Sequence, residues 1–201
     1  MLDPKPFSEA CERNREPILA VLQRYFADRR RVLEIGSGTG QHAVYFAAAL
    51  AHLTWQTSER AANLAGIRQW LEEAGLANLP PPLELDVTGR WPAARFDALF
   101  TANTLHIMSW DNVRTLFTAL PAVLAPDALL CVYGPFNYEG TFTSPSNEAF
   151  DAWLKRRSPE SGIRDFAAVD ALARAIGFEL LQDCPMPANN RALIWRRAAA
   201  G

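Results

Sequence analysis

Three glycines at alternate positions, Gly36, Gly38 and Gly40, interrupt the apolar run RRRVLEIGSGTGQHAVYFAA at residues 29–48, and a carboxylate, Glu34, stands just ahead of them. Glycine reaches backbone conformations closed to other residues and lets main chain come close to a ligand. Such a loop between a strand and a helix cradles a pyrophosphate when the spacing is G-x-G-x-x-G. Here the spacing is G-x-G-x-G, and a carboxylate beside a pyrophosphate would repel it. The loop suits instead a ligand with positive charge and a ribose. Glu59 lies roughly 20 residues further on, the reach expected for an acid that holds ribose hydroxyls. A carboxylate is an acceptor-only group and takes two hydroxyls at once. Asp86 ends a third apolar run. Both acids also have structural readings: Glu59 as an anion at a helix N-terminus, with Ser58 as an alternative ribose contact, and Asp86 as a turn or cap residue.

The other candidates are weaker in type but placed alike. His42 falls in the first turn after the glycine loop, and His106 in NTLHIMSW beyond a fourth apolar run. Each is either a general base or a capping and packing group. The three histidines, with His52, show no metal-ligand spacing. Trp110 follows His106 in the same stretch. Asn137 and Tyr138 follow a fifth run, and Asn189 and Asn190 sit in a final turn, where asparagine is also favoured because it tolerates positive φ. Arg13 and Asn14 precede a helix expected at REPILAVLQRYF. They are either the solvated start of a surface helix or a cover over the ligand, with a guanidinium suited to clamping a carboxylate.

Alternating elements must position these groups. Strands are expected at 31–35, 53–58, 82–87, 96–103 and 128–136, and helices over about 40–51, 60–75, 110–124, 146–157 and 163–177. The runs at 178–184 and 191–197 are joined by PMPANN, too short for a crossover helix, so they pair antiparallel. The expected fold is α/β: a doubly wound, mostly parallel seven-stranded sheet with an antiparallel last strand and helices on both faces. Two stretches read as irregular, DPKPFSEACERN near the start and GPFNYEGTFTSPSN at 134–147.

VLEIGSGTG resembles the first motif of the class I, Rossmann-like, S-adenosylmethionine-dependent methyltransferases, and the resemblance runs through the strand pattern from about residue 30 to 197. SEACERNREPIL and MPANN are similar, more narrowly, to the methyltransferase-like protein 26 type. The resemblance implies S-adenosyl-L-methionine as cofactor, S-adenosyl-L-homocysteine as product and no metal. It places Glu34 near the methionine amino group or ordering the loop, Gly36, Ser37, Gly38 and Gly40 along the cofactor, and Glu59 on the ribose hydroxyls. Asp86 would accept from the adenine amino group, Val87 pack on the adenine face, and Asn103 meet the methionine end. Arg13 and Asn14 would fold over the cofactor. The acceptor is expected to be a small molecule, with His106 and His42 as candidate bases and Trp110, Asn137, Tyr138, Asn189 and Asn190 around it. A protein that binds the nucleoside without turnover, and an NAD(P)-dependent oxidoreductase, are the alternatives.

Bulk properties bound the rest. A chain of 201 residues, 49% hydrophobic, suits one domain over 1–201, divided into a covering segment and helix at 1–28 and a core at 29–197. The net charge of −2 gives no electrostatic argument for nucleic acid or an anionic membrane. Cys11, Cys131 and Cys184 form no metal or disulfide pattern, and the start of the chain does not read as a signal peptide. A cytoplasmic protein is expected.

Overall fold

The computed structural model describes residues 5–198. The first four residues of the expected covering segment, and 199–201, lie outside them. The apolar runs assemble into one seven-stranded sheet, ordered β3–β2–β1–β4–β5–β9–β8. Its strands are β1 (Arg31–Ile35), β2 (Thr54–Glu59), β3 (Leu83–Glu84), β4 (Phe96–Ala102), β5 (Leu124–Gly134), β8 (Phe178–Met186) and β9 (Asn190–Arg197). A separate short pair joins β6 (Phe136–Asn137) to β7 (Arg164–Asp165). Strands β1 to β5 pair in parallel, whereas β9 runs antiparallel to both β5 and β8. This is the expected doubly wound sheet. The reversed strand inserts beside β5 and leaves β8 at the edge.

Six helices cover the two faces: α1 (Glu9–Tyr25), α2 (Gln41–Ala49), α3 (Leu64–Ala74), α4 (Trp110–Val123), α5 (Pro145–Arg157) and α6 (Phe166–Ala175). Successive strand side chains point to opposite faces, and β1 shows the division. Val32 packs with Ile18, Phe46, Trp55 and Ile67 of the α1–α3 layer. Leu33 and Ile35 pack with Leu116, Phe117 and Val169 of the α4–α6 layer. With both faces covered, β1 needs apolar residues on both, and from Val32 to Ile35 it is buried throughout.

Several boundaries differ from the expectation. The start of the chain is not irregular up to Asn14: α1 begins at Glu9, with Ser8 as N-cap and Glu9 and Glu12 in its first turn. Pro17 lies inside this helix. It cannot donate to the Arg13 carbonyl, which is why the sequence reads as a break there. The third strand shrinks to Leu83–Glu84 because Asp86 turns the chain, its Oδ1 accepting from Thr88 N at 2.9 Å and Thr88 Oγ1 at 2.7 Å. The stretch at 134–147 is partly regular, holding β6, a bridge between Tyr138 and Thr141, and the Ser144-capped start of α5. Among the described residues no helix is long and apolar enough to cross a membrane.

Candidate active site

The loop between β1 and α2 crosses the carboxyl edge of the sheet with Gly36, Gly38 and Gly40 at φ of 71°, 57° and 89°. Neighbouring main chain anchors it, since Gly36 N and Ser37 N both donate to Ser58 O at 3.1 Å. Glu34 lies beneath it. Its Oε2 accepts from Ser37 Oγ at 2.9 Å and from Trp55 Nε1 at 3.0 Å. Ser37 Oγ in turn accepts from Ser58 N at 3.1 Å. Glu34 is 2% exposed and does not line the cleft described below, so of its two expected roles the geometry fits ordering the loop.

Burial pushes the Glu34 carboxyl up to about 7, against the two donors, with the charge of Glu59 adding to the rise. The folded protein therefore holds this proton more tightly than the unfolded chain, whose carboxyl sits near 4.5. Glu34's contribution to stability falls as pH rises from about 4.5 to about 7. At about 1.4 kcal/mol per unit the loss is on the order of 3 kcal/mol. Glu34→Gln keeps an oxygen to accept both hydrogen bonds and removes the titration. Denaturant unfolding at pH 5 and pH 8 is expected to show the wild type losing roughly that much relative to the variant; parallel profiles would refute it.

A cleft of about 1470 Å³ opens above the loop. One end is formed by Gly36, Ser37 and Gly38, with Glu59, Asp86 and Val87 from the tips of the next two strands. Glu59 bends back on the loop: Oε2 accepts from Gly38 N at 3.0 Å and Oε1 from Arg60 N at 2.9 Å. Leu85 and Val87 are buried apolar walls, and the exposed Asp86 lies between them, held below the usual carboxylate range by its two hydrogen bonds from Thr88. A Cβ built on Gly38 meets nothing within 4 Å, so this glycine presents bare main chain to the cleft. Asn103 stands at the end of β4 with a left-handed φ of 56° and also lines the cleft.

The covering helix brings Arg13 and Asn14 to the same cleft, in different states. Arg13 is exposed and paired with Glu9 at 3.3 Å. Asn14 is buried, its Oδ1 2.7 Å from His42 Nε2, and its amide also reaches Tyr133. His42 stacks on Phe46, and burial takes its imidazole down to about 4. His106 is likewise buried, held down to about 4 by desolvation and by Arg164, with Phe150 edge-on at 5.3 Å. No hydrogen bond reaches its ring among the described residues, and it lines the cleft midway along.

Other expected site residues stand elsewhere. Gly40 caps α2 and packs on α3, a Cβ there lying 3.3 Å from the Ile67 backbone. Trp110 starts α4 and packs on the core under the Arg164 guanidinium. Asn137 pairs through its backbone in β6–β7 and does not line the cleft, and its buried Oδ1 has no hydrogen-bond partner among the described residues. Tyr138 stacks on Phe166 and donates to Asp183 at 2.6 Å. Asn189 occupies the hairpin turn at φ 57° and bonds to α5, while its neighbour Asn190 does reach the cleft. For Trp110, Tyr138 and Asn189 a local hydrogen-bonding or packing demand claims the side chain.

Three contributors were not expected. Gln41 ties α1 to the loop: its Oε1 accepts from Ser8 N and from Thr39 Oγ1 at 3.0 Å, and its Nε2 donates to Glu12 at 2.8 Å. Arg164 clamps the His106 loop, donating to the carbonyls of Leu105 at 3.1 Å and of Met108. The third is the far wall of the cleft, built by Phe150, Trp153, Leu154 and Arg157 of α5. Only the helical spacing of those four residues hinted at a shared face.

The family model described as a protein of unknown function, DUF938, matches residues 5–197. The chain belongs to the DUF938 family. Among solved structures, this DUF938 protein resembles an O-methyltransferase family protein from Burkholderia thailandensis, with a TM-score of 0.82, 14% identity and coverage of 92% of this chain and 57% of that one. It resembles the S-adenosylmethionine-dependent methyltransferase SibL at TM-score 0.80 and 24% identity, over 94% and 56% of the two chains. A third is the N,N-8-amino-8-demethyl-D-riboflavin dimethyltransferase RosA from Streptomyces davawensis, at TM-score 0.76 and 20% identity, over 94% and 55%. The DUF938 chain thus has a Rossmann-like methyltransferase fold and spans a little over half the length of these structures.

Proposed function

We propose that this protein is an S-adenosylmethionine-dependent methyltransferase acting on a small-molecule acceptor. The observation that carries the reading is Glu59. Its carboxylate is held at the lip of a bare glycine turn, one strand from Asp86 and Val87, in a cleft of about 1470 Å³. Single-ligand pockets run to about 1,000 Å³, so there is room for donor and acceptor together. The names of the structural neighbours, which include a dimethyltransferase of a riboflavin derivative, support the same class. The narrower likeness to the methyltransferase-like protein 26 type draws support from the position of its two segments: residues of both SEACERNREPIL and MPANN line the cleft. A cytoplasmic setting agrees with three free cysteines.

In this reading the cofactor supplies a methyl group on a positively charged sulfur. Glu59 holds the ribose hydroxyls, Asp86 accepts from the adenine amino group, and Val87 lies on the adenine face. Gly36, Ser37 and Gly38 line the nucleoside, and Asn103 meets the methionine end. Arg13 exchanges Glu9 for the methionine carboxylate, and Asn14 anchors the covering helix on His42. Because Asn14 and Phe46 occupy His42, the proton-accepting role falls to His106, which stays neutral at pH 7 and has no hydrogen bond on its ring nitrogens among the described residues. It acts only where the acceptor must lose a proton. Otherwise the protein's task is holding the two reactants in line, which supplies roughly 7–11 kcal/mol.

Calorimetry with S-adenosylmethionine and S-adenosylhomocysteine, followed by a turnover screen reading homocysteine-nucleoside release, tests the proposal. Binding of both and release with an acceptor are expected. Binding without release from any acceptor would favour a holding protein, and binding of NAD(P) in their place would overturn the reading.

A further inference from the structure

The wall facing the glycine loop has a chemistry of its own. Helix α5 presents Phe150, Trp153, Leu154 and Arg157 to the cleft, at the spacing of one helical face. Leu154 is buried, but Trp153 is 43% exposed although it stacks on Phe150 with centroids 5.8 Å apart and planes at 17°. Ile107, on the loop beside it, is 59% exposed. Large apolar side chains exposed singly need no explanation, whereas a contiguous group inside a concave site does.

Helix α5 is tied to its neighbours at several points. Ser144 caps α5, and Asn147 Nδ2 ties it to the Asn189 carbonyl of the β8–β9 turn at 3.1 Å. Asp151 accepts from Ile163 N at 2.8 Å and pairs with Lys155 at 2.6 Å. His106 meets Phe150 edge-on, which orients the ring pair.

Charge narrows the class. The Arg157 guanidinium lies 4.7 Å from the Trp153 ring centroid and pairs with no carboxylate among the described residues. Glu160 shares the wall but makes no ion pair with it. A guanidinium parked on an exposed aromatic face, with its donors unspent, matches a planar ligand that carries an anionic group at its edge.

We propose that this half of the cleft binds a planar aromatic carboxylate, its rings packed against the exposed edge of the Phe150–Trp153 pair and bordered by Ile107, its carboxylate paired with Arg157. That this molecule is the methyl acceptor rests on the methyltransferase reading; the binding site itself does not.

The test is calorimetric titration of the full chain with 2-naphthoate, 2-naphthol and cyclohexanecarboxylate, with S-adenosylhomocysteine titrated in parallel. Saturable 2-naphthoate binding is expected, about tenfold tighter than that of cyclohexanecarboxylate. Arg157→Gln is expected to weaken 2-naphthoate by about tenfold and leave 2-naphthol unchanged. Trp153→Ala is expected to weaken both by about tenfold. Both positions are exposed, so each variant should keep the fold, which far-UV dichroism verifies. No saturable 2-naphthoate binding, equal affinity for the alicyclic acid, or indifference to both substitutions would overturn the proposal. If S-adenosylhomocysteine binds while the naphthoate pattern fails, only this inference falls. If the naphthoate pattern holds without nucleoside binding, the aromatic site stands and the methyltransferase reading falls.

Discussion

Glu59→Ala is expected to lower S-adenosylhomocysteine affinity on the order of 10²–10⁴-fold while leaving the protein folded. The estimate rests on two hydroxyls losing a charged acceptor, each such hydrogen bond contributing about 1.5–3 kcal/mol. Within the free protein Glu59 is half-exposed and satisfies the N–H groups of Gly38 and Arg60. Water can replace it there, so the stability cost should be about 1 kcal/mol. Glu59→Gln keeps one accepting oxygen and should fall between. Calorimetry measures the first effect and denaturant unfolding the second. An affinity unchanged within experimental error would mean that Glu59 serves only the loop, and the functional reading would lose its main support.

Gly36→Ala is expected to damage fold and binding together. A left-handed φ of 71° costs a residue with a Cβ about 1–2 kcal/mol. The new Cβ would also lie 2.7 Å from both Cγ2 and Oγ1 of Thr104, which must move. A total destabilisation on the order of 3 kcal/mol follows, with nucleoside affinity lost as the loop is pushed from Thr104 towards the cleft. Gly38→Ala is the informative partner. Its backbone strain is similar at φ 57°, but nothing lies within 4 Å of the added carbon. It should unfold less readily than Gly36→Ala and still bind poorly, because the methyl stands where the ligand's own surface belongs. Adding Thr104→Ala should recover part of the Gly36→Ala loss, with non-additivity in the double-mutant cycle. Full additivity would place the clash elsewhere.

The glycine turn and its acids were legible because each requirement is local. Positive φ calls for glycine, and strand tips in a parallel sheet converge on one edge. The same logic set Gly40 along the cofactor, whereas the structure puts it outside the cleft, where its φ of 89° and the nearby Ile67 backbone of α3 call for glycine. It overreached at Tyr138 and Asn189, which share that edge but are held by Asp183 and α5. Strand-end position brings a residue near the ligand edge; the tertiary partner decides where its side chain goes. Pro17 hid the first half of α1, since a proline reads as a boundary unless the surrounding helix is secured by burial, as Asn14, Ile18 and Leu22 secure it. Nor could spacing show that α5 turns its aromatic pair inward, because that orientation depends on Asn147 reaching a turn some forty residues away.

Gln41 gives the start of the chain a stake in ligand affinity. One buried amide fastens Ser8 and Glu12 on one side and Thr39 on the other. Loss of the Ser8 and Glu12 contacts would therefore slacken the glycine turn from a distance, so helix α1 and the turn behave as one mechanical unit.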